Sequence, residues 1–190
     1  MNTLVVNCYG GPGAGKTACA WDVAAALKKK GINVEYVPEA AKEYVWEGRL
    51  EVLEDQERLF KEQSARLERL RGKVEVIVTD SPILLSHIYG KNNSHEFSER
   101  IDAEYNSWYN FNLFIKREGE FHQEGRIQNL EESKEIDKKI IKMLADKDIF
   151  YGTYSYENLK YLAENIIINL EKIQKLKEKK NEKRRFYNKI

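Results

Sequence analysis

Thr3–Tyr9 (TLVVNCY) runs without a break into Gly10-Gly11-Pro12-Gly13-Ala14-Gly15-Lys16-Thr17, and the reading of the whole chain turns on this junction. The first seven residues are short, β-branched and almost wholly apolar, the pattern of a buried strand. The next eight match G-x-x-x-x-G-K-[ST] in full. Glycines let the backbone curl so that successive N–H groups point inward, and the helix that follows turns its positive end toward whatever the loop encloses. Such a cradle suits a chain of phosphates. On this reading Gly10, Gly11, Pro12, Gly13, Ala14, Gly15, Lys16 and Thr17 bind the nucleotide. Lys16 reaches the β- and γ-phosphates, and the Thr17 hydroxyl holds Mg2+. ATP and Mg2+ are therefore the expected donor and cofactor.

Outward from the loop, short apolar runs alternate with longer helical patterns. Thr17–Lys30 is rich in alanine and leucine and stops at Gly31, a common residue just past a helix end. Asn33–Val37 reads as a second strand, Val74–Thr79 as a third and Phe111–Ile115 as a fourth, with Ile149–Thr153 as the fifth. Asp55–Arg71 places Leu59, Phe60, Leu67 and Leu70 at helical spacing, Glu131–Ala145 is a charged amphipathic helix, and a long helix begins at Tyr156. This alternation predicts an α/β fold, a parallel sheet of about five strands flanked by helices. One domain is expected over residues 1–171, with a lid at about 117–130, followed by a basic helical tail at 172–190.

A phosphate loop names a nucleotide and not a reaction, so the remaining site residues carry the rest. Asp80 ends the third strand, where a carboxylate completes a Mg2+ site with Thr17, usually through water; as Asp80-Ser81-Pro82 it would also open a helix well. Glu39 follows the second strand. Ligands in open α/β sheets sit at the carboxyl ends of strands, so Glu39 is placed to orient or deprotonate an acceptor hydroxyl. It is equally suited to the start of a helix at Ala40. Arg117–Arg126 (REGEFHQEGR) is a polar, glycine-containing stretch whose terminal arginines, Arg117 and Arg126, would neutralise charge on a transferred phosphoryl group while the flap excludes water. Gln63 and Arg66 share a helix face with Phe60, either as acceptor contacts or as the polar margin of a core helix.

The segments GGPGAGKT, VPEAAKEY, VIVTDSP and FIKREGEFHQEGRIQNLEESKEID together resemble the small P-loop kinases of the nicotinamide-riboside-kinase-like type, a group with many bacteriophage members described only as ATPases or kinases. The block in which Gly125-Arg126-x-Gln128 leads into a helix carrying Asp137 looks like the lid of the phage members. The resemblance runs from about Thr3 to Tyr156. It implies a nucleoside- and nucleotide-kinase-like fold, ATP and Mg2+, lid arginines at Arg117 and Arg126, Glu39 on the acceptor side and Asp80 on the metal side. The chain departs from deoxynucleoside kinases in placing Ser81-Pro82 after Asp80, where those enzymes often have an arginine.

Composition narrows the setting. The 190 residues are 42% hydrophobic and 33% charged, enough for a core beneath a highly charged surface. No apolar run is long enough to span a bilayer, and the N-terminus has no signal-peptide pattern, so a cytoplasmic protein without membrane contact is expected. Cys8 and Cys19 are too few for a disulfide scaffold and suit packing in a reducing compartment. His87, His95 and His122 lack metal-ligand spacing, and Tyr105, Trp108, Tyr109 and Phe111 read as core aromatics. The net charge of +1 hides a tail, residues 172–190, with nine basic residues against two acidic ones. That tail is either a solvated helix end or a contact for nucleic acid. The function expected is an ATP-dependent kinase acting on a nucleoside-like or nucleotide acceptor. The alternatives are a kinase of hydroxymethylated bases in phage DNA and an ATPase module that phosphorylates nothing.

Overall fold

The computed structural model describes residues 2–90, 92–118, 121 and 128–187. Its first half runs β1 (Leu4–Tyr9), α1 (Lys16–Lys29), β2 (Val34–Val37), α2 (Ala40–Trp46), a 3-10 turn over Leu50–Glu54, α3 (Gln56–Glu68) and β3 (Val76–Thr79). The second half runs α4 (Ser86–Tyr89), α5 (His95–Asn106), β4 (Tyr109–Ile115), α6 (Leu130–Asp146), β5 (Gly152–Tyr154) and α7 (Leu159–Tyr187).

Every residue of β1 is buried, which requires a partner on each edge and a layer on each face. Both are present. β1 pairs in parallel with β3 and β4, from Leu4 opposite Val76 and Tyr109 onward, and the five parallel strands take the order β2-β3-β1-β4-β5. Alternation along β1 divides the core. Leu4, Val6 and Cys8 meet Ala20, Val23 and Leu27 of α1 and Ile166 and Leu170 of α7. Val5 and Tyr9 face Phe60 and Leu67 of α3, Ile101 of α5 and Ile140 and Leu144 of α6. The chain crosses from one side of β1 to the other between β3 and β4. The sheet therefore has its switch point at β1, and all strands end at the same edge.

The expected elements are present with shifted borders. β4 starts at Tyr109 and not Phe111, because Asn110 and Asn112 are tied into the sheet through the Asn7 side chain at 2.9 and 3.1 Å. β5 begins at Gly152 and not Ile149. The amides of Asp148 and Ile149 bond back to Ala145 and Leu144, with Asp148 in the left-handed region at φ 53°, so these residues finish α6. α6 opens one residue early, behind a reciprocal capping box of Asn129 and Glu132. Of the aromatic cluster, Trp108 is core, Tyr105 and Phe111 pack against core, and Tyr109 is exposed.

Ile173 is the last buried residue of α7 among those described, and Leu176 one turn later is 57% exposed. Hence Ile166→Ala, which empties a fully buried site between α1 and the sheet, is expected to cost about 2–5 kcal/mol of unfolding free energy. Leu176→Ala should stay within about 0.5 kcal/mol. Urea denaturation of the two variants checks both.

Candidate active site

The loop between β1 and α1 enters its helix through Gly15, at φ 94° in the left-handed region, where a side chain would be strained. No side chain caps α1, so no side-chain acceptor competes for the amides at its N-terminus and the positive end is open to an anion. Lys16 folds back over the loop and donates to the Gly11 carbonyl at 3.1 Å. Burial lowers its pKa, while the charges of Glu39, Asp80 and Asp137 pull the other way. Those three carboxylates thus face it from β2, β3 and α6.

Asp80, immediately after β3, is 2% exposed. Its Oδ2 accepts from the Thr17 hydroxyl at 2.6 Å and from the Tyr36 hydroxyl at 2.8 Å. Its Oδ1 is buried with no partner among the described residues. An orphaned carboxylate oxygen is costly unless something else satisfies it. Thr17 can give its proton to Asp80 and still turn a lone pair outward. This pair of hard oxygen donors fits Mg2+, which keeps several waters and takes the rest of its shell from phosphate. Tyr36 was not singled out by its sequence; only its place in an alternating strand marks it. Burial and the neighbouring Asp80 charge raise its pKa far above the usual tyrosine value, so it stays a proton donor to Asp80 across the neutral range.

Glu39 stands at the N-cap of α2, yet its side chain makes no capping hydrogen bond. Desolvation pushes its carboxyl above the ordinary glutamate range, opposed by Lys16 and reinforced by Asp80. The amide of Ala40, one residue on, is taken instead by Gln63 Oε1 at 3.1 Å. Gln63 is buried, and its other end donates to Thr79 Oγ1 at 3.4 Å. It therefore joins α2 to the end of β3 with both functional ends engaged. Arg66 is held by Glu43 at 2.7 Å and Glu62 at 2.8 Å. Arg66 also lines, with Tyr36, Pro38 and Arg69, a cavity of about 380 Å3 beside the β2 edge. The structure thus separates two residues that share a helix face in the sequence.

Arg117 follows β4 by two positions. Its Nε donates to Asp137 Oδ2 at 2.7 Å, Nη1 donates to the Pro12 carbonyl at 3.2 Å, and Nη2 donates to Ser133 Oγ. The guanidinium thus rests on the shoulder of the phosphate loop. Arg126 and His122 lie outside the described residues. Ser133 was missed, and Asp137 entered only through the lid resemblance. The signal for both was present. Ser133, Asp137, Ile140 and Leu144 share one stripe of α6, so two polar residues continue the buried apolar face toward the loop.

The other residues noted from the sequence have structural surroundings. Cys8 and Cys19 are free thiols with sulfurs 3.8 Å apart. Their mutual hydrogen bond and burial drive the Cys19 thiol far up, away from nucleophilic use. His87 bonds Asp102 at 2.8 Å, and His95 is exposed beside Glu99. Among the described residues no helix is long and apolar enough to cross a membrane. Because Tyr36 is one of two donors to Asp80, Tyr36→Phe is expected to raise the Mg2+ concentration needed for half-maximal nucleotide turnover about tenfold. A Mg2+ titration of the variant, beside an unchanged melting profile, checks this.

The sequence matches a family described as AAA domain over residues 5–155. No curated protein sequence matches the chain. Among solved structures, a thymidylate kinase from Ehrlichia chaffeensis is similar with a TM-score of 0.56 at 12% identity, over 88% of this chain and 99% of that one. The APS kinase CysC of Mycobacterium tuberculosis, in complex with AMPPNP and APS, gives a TM-score of 0.48 at 16% identity, over 90% of this chain and 98% of that one. At 12% identity the thymidylate kinase speaks for the fold alone, a parallel five-stranded sheet flanked by helices. The family match, covering the sheet from β1 to the end of β5, goes further: this chain belongs to the AAA domain family.

Proposed function

We propose that the protein is an ATP-dependent kinase that transfers the γ-phosphate to a nucleoside-like or nucleotide acceptor. One observation carries the reading: Glu39, half-buried at the N-cap of α2, makes no capping hydrogen bond and lies near enough to Lys16 and Asp80 to feel both charges. A nucleotide-binding module that only binds or hydrolyses ATP has no need of an acceptor base in that place. The resemblance to nicotinamide-riboside-kinase-like and phage kinases supports an acceptor of nucleoside type.

In this mechanism the loop amides and Lys16 bind the donor phosphates, and Thr17 and Asp80 hold Mg2+. Bound there, the ion would neutralise charge on the β- and γ-phosphates. Glu39 orients the acceptor hydroxyl and takes its proton as the bond to phosphorus forms, a task favoured by a carboxylate more basic than usual. Arg117 would add positive charge from the shoulder of the loop, where Asp137, Pro12 and Ser133 hold it, and the part expected of Arg126 falls outside the described residues. A second reading, phosphorylation of a hydroxymethylated base in phage DNA, draws on α7. Past Ile173 its described side chains are exposed, and the tail carries nine basic residues to two acidic, so it suits a polyanion.

A transfer screen with labelled γ-phosphate decides among these readings, offering nucleosides, nucleoside monophosphates, nicotinamide riboside and hydroxymethylated duplex DNA. A labelled acceptor is expected; free phosphate alone in every reaction would turn the reading to an ATPase. Lys16→Ala should abolish transfer with the fold intact. For Glu39→Gln, kcat should fall at least about a hundredfold with little change in ATP affinity. The sign of the pH effect follows from the raised Glu39 pKa. The base works only when ionised, so kcat/KM falls as pH drops through a value above the ordinary glutamate range, and Glu39→Gln removes that limb. A carboxylate raised by burial opposes folding once ionised. Melting of Glu39→Gln at neutral pH is therefore expected at or above the wild-type temperature, whereas loss of a mere helix cap would lower it.

A further inference from the structure

In G-x-x-x-x-G-K-[ST] the second position accepts any residue. In this chain it is Gly11, buried, and the reason lies outside the loop. A Cβ there would stand 2.5 Å from the Ser133 carbonyl oxygen and 2.8 Å from Ser133 Oγ. The backbone of α6 comes so close because it is bonded to the loop on both sides of the Gly11–Pro12 shoulder. On the amide side, Gly11 N–H donates to Asp137 Oδ1 at 2.5 Å. On the carbonyl side, Pro12 O accepts from Arg117 Nη1 and from Ser133 Oγ. Asp137 Oδ2 closes the circuit by accepting from Arg117 Nε at 2.7 Å. The Gly11 carbonyl, in turn, accepts from Lys16 Nζ. A single residue therefore separates the α6 carboxylate from the lysine of the phosphate site.

We infer that Asp137 is a positioning residue: through the Gly11 amide, and through Arg117 on Pro12, it holds the phosphate loop in the shape that receives nucleotide and sets where Lys16 rests. The inference rests on the kinase reading for the identity of the nucleotide, but the clamp itself is built from described protein atoms. An anionic acceptor makes the Gly11 bond charge-assisted and strong. Pro12, with a fixed φ and no N–H, leaves its carbonyl as the only backbone polar group of that residue. Ser133 is 0% exposed, so the clamp works as a buried fixture and not as a surface contact.

The test uses the full chain with Asp137→Ala and Asp137→Asn. Asparagine keeps an oxygen for the Gly11 amide; alanine keeps none. Two measurements are made: hydrogen exchange of the Gly11 amide without nucleotide, and ATP affinity by calorimetry. In the alanine variant the Gly11 amide is expected to exchange, and ATP to dissociate, about tenfold more readily, as for a buried donor stripped of its partner. KM for ATP should rise more than kcat falls. Asparagine should recover the Gly11 protection but only part of the affinity, because its Nδ2 cannot accept from Arg117 Nε. Gly11→Ala, which pushes α6 away from the loop, should reproduce the alanine phenotype with Asp137 intact. Wild-type exchange and affinity in Asp137→Ala would overturn the inference, as would equal losses in the alanine and asparagine variants, which would assign the effect to charge alone. A wild-type protein that protects Gly11 yet binds no ATP would overturn the kinase reading, and with it the clamp's part in nucleotide binding.

Discussion

A loop that offers amides to phosphate can spend few of them on holding its own shape. This constraint organises the site. Gly15 gives the curl that a side chain would resist, but curl alone is not rigidity. Two contacts lie within the loop, Ala14 N–H and Lys16 Nζ on the Gly11 carbonyl, and the others come from outside it: Arg117 and Ser133 on the Pro12 carbonyl, Asp137 on the Gly11 amide, and Asp80 on Thr17. The outside supports come from α6, from the end of β3 and from just past β4, and these elements are anchored in the two hydrophobic layers. The apolar core therefore contributes to anion binding by fixing the groups that fix the loop.

The parallel sheet makes this economical. Strands that all run the same way end at one edge, so Gly10, Pro38, Asp80, Lys116 and Ser155 each follow a strand at the same side of the molecule. Residues far apart in sequence meet there without special turns. Helices on both faces make that edge a cleft, and burial then tunes its chemistry. It raises the Glu39 carboxyl and lowers the Lys16 ammonium, the directions in which desolvation disfavours either charge.

The strand–loop–helix start, the five parallel strands and Asp80 were legible because each rests on local pattern. Contacts that depend on tertiary packing were not. α5 has only Phe97 and Ile101 buried among charges, too little periodicity to announce a helix. The polar ladder Asn7–Asn110–Asn112 hides the first residues of β4 from any reading based on apolar runs. Gln63 and Arg66 show the limit at the site. Their i, i+3 spacing places them together, but only the packing of α3 against α2 and β3 turns one inward and leaves the other at a cavity. Arg117 is similar: its sequence context reads as a flap, whereas Asp137 and Ser133 pin it to the loop.

The central place of β1 has a consequence for how the molecule is made. The strand is made before β3 and β4, yet its two edges close only against them, with Leu4 opposite Val76 and Tyr109. Until those later strands leave the ribosome, the central strand of the sheet has unpaired edges, and its outer layer waits longer still for α7. Pairing over such spans is slow, and exposed strand edges invite association between chains. The same placement that sets the phosphate loop at the middle of the finished sheet leaves the nascent chain dependent on crowding control, by dilution or by a holding chaperone, until its last helix has docked.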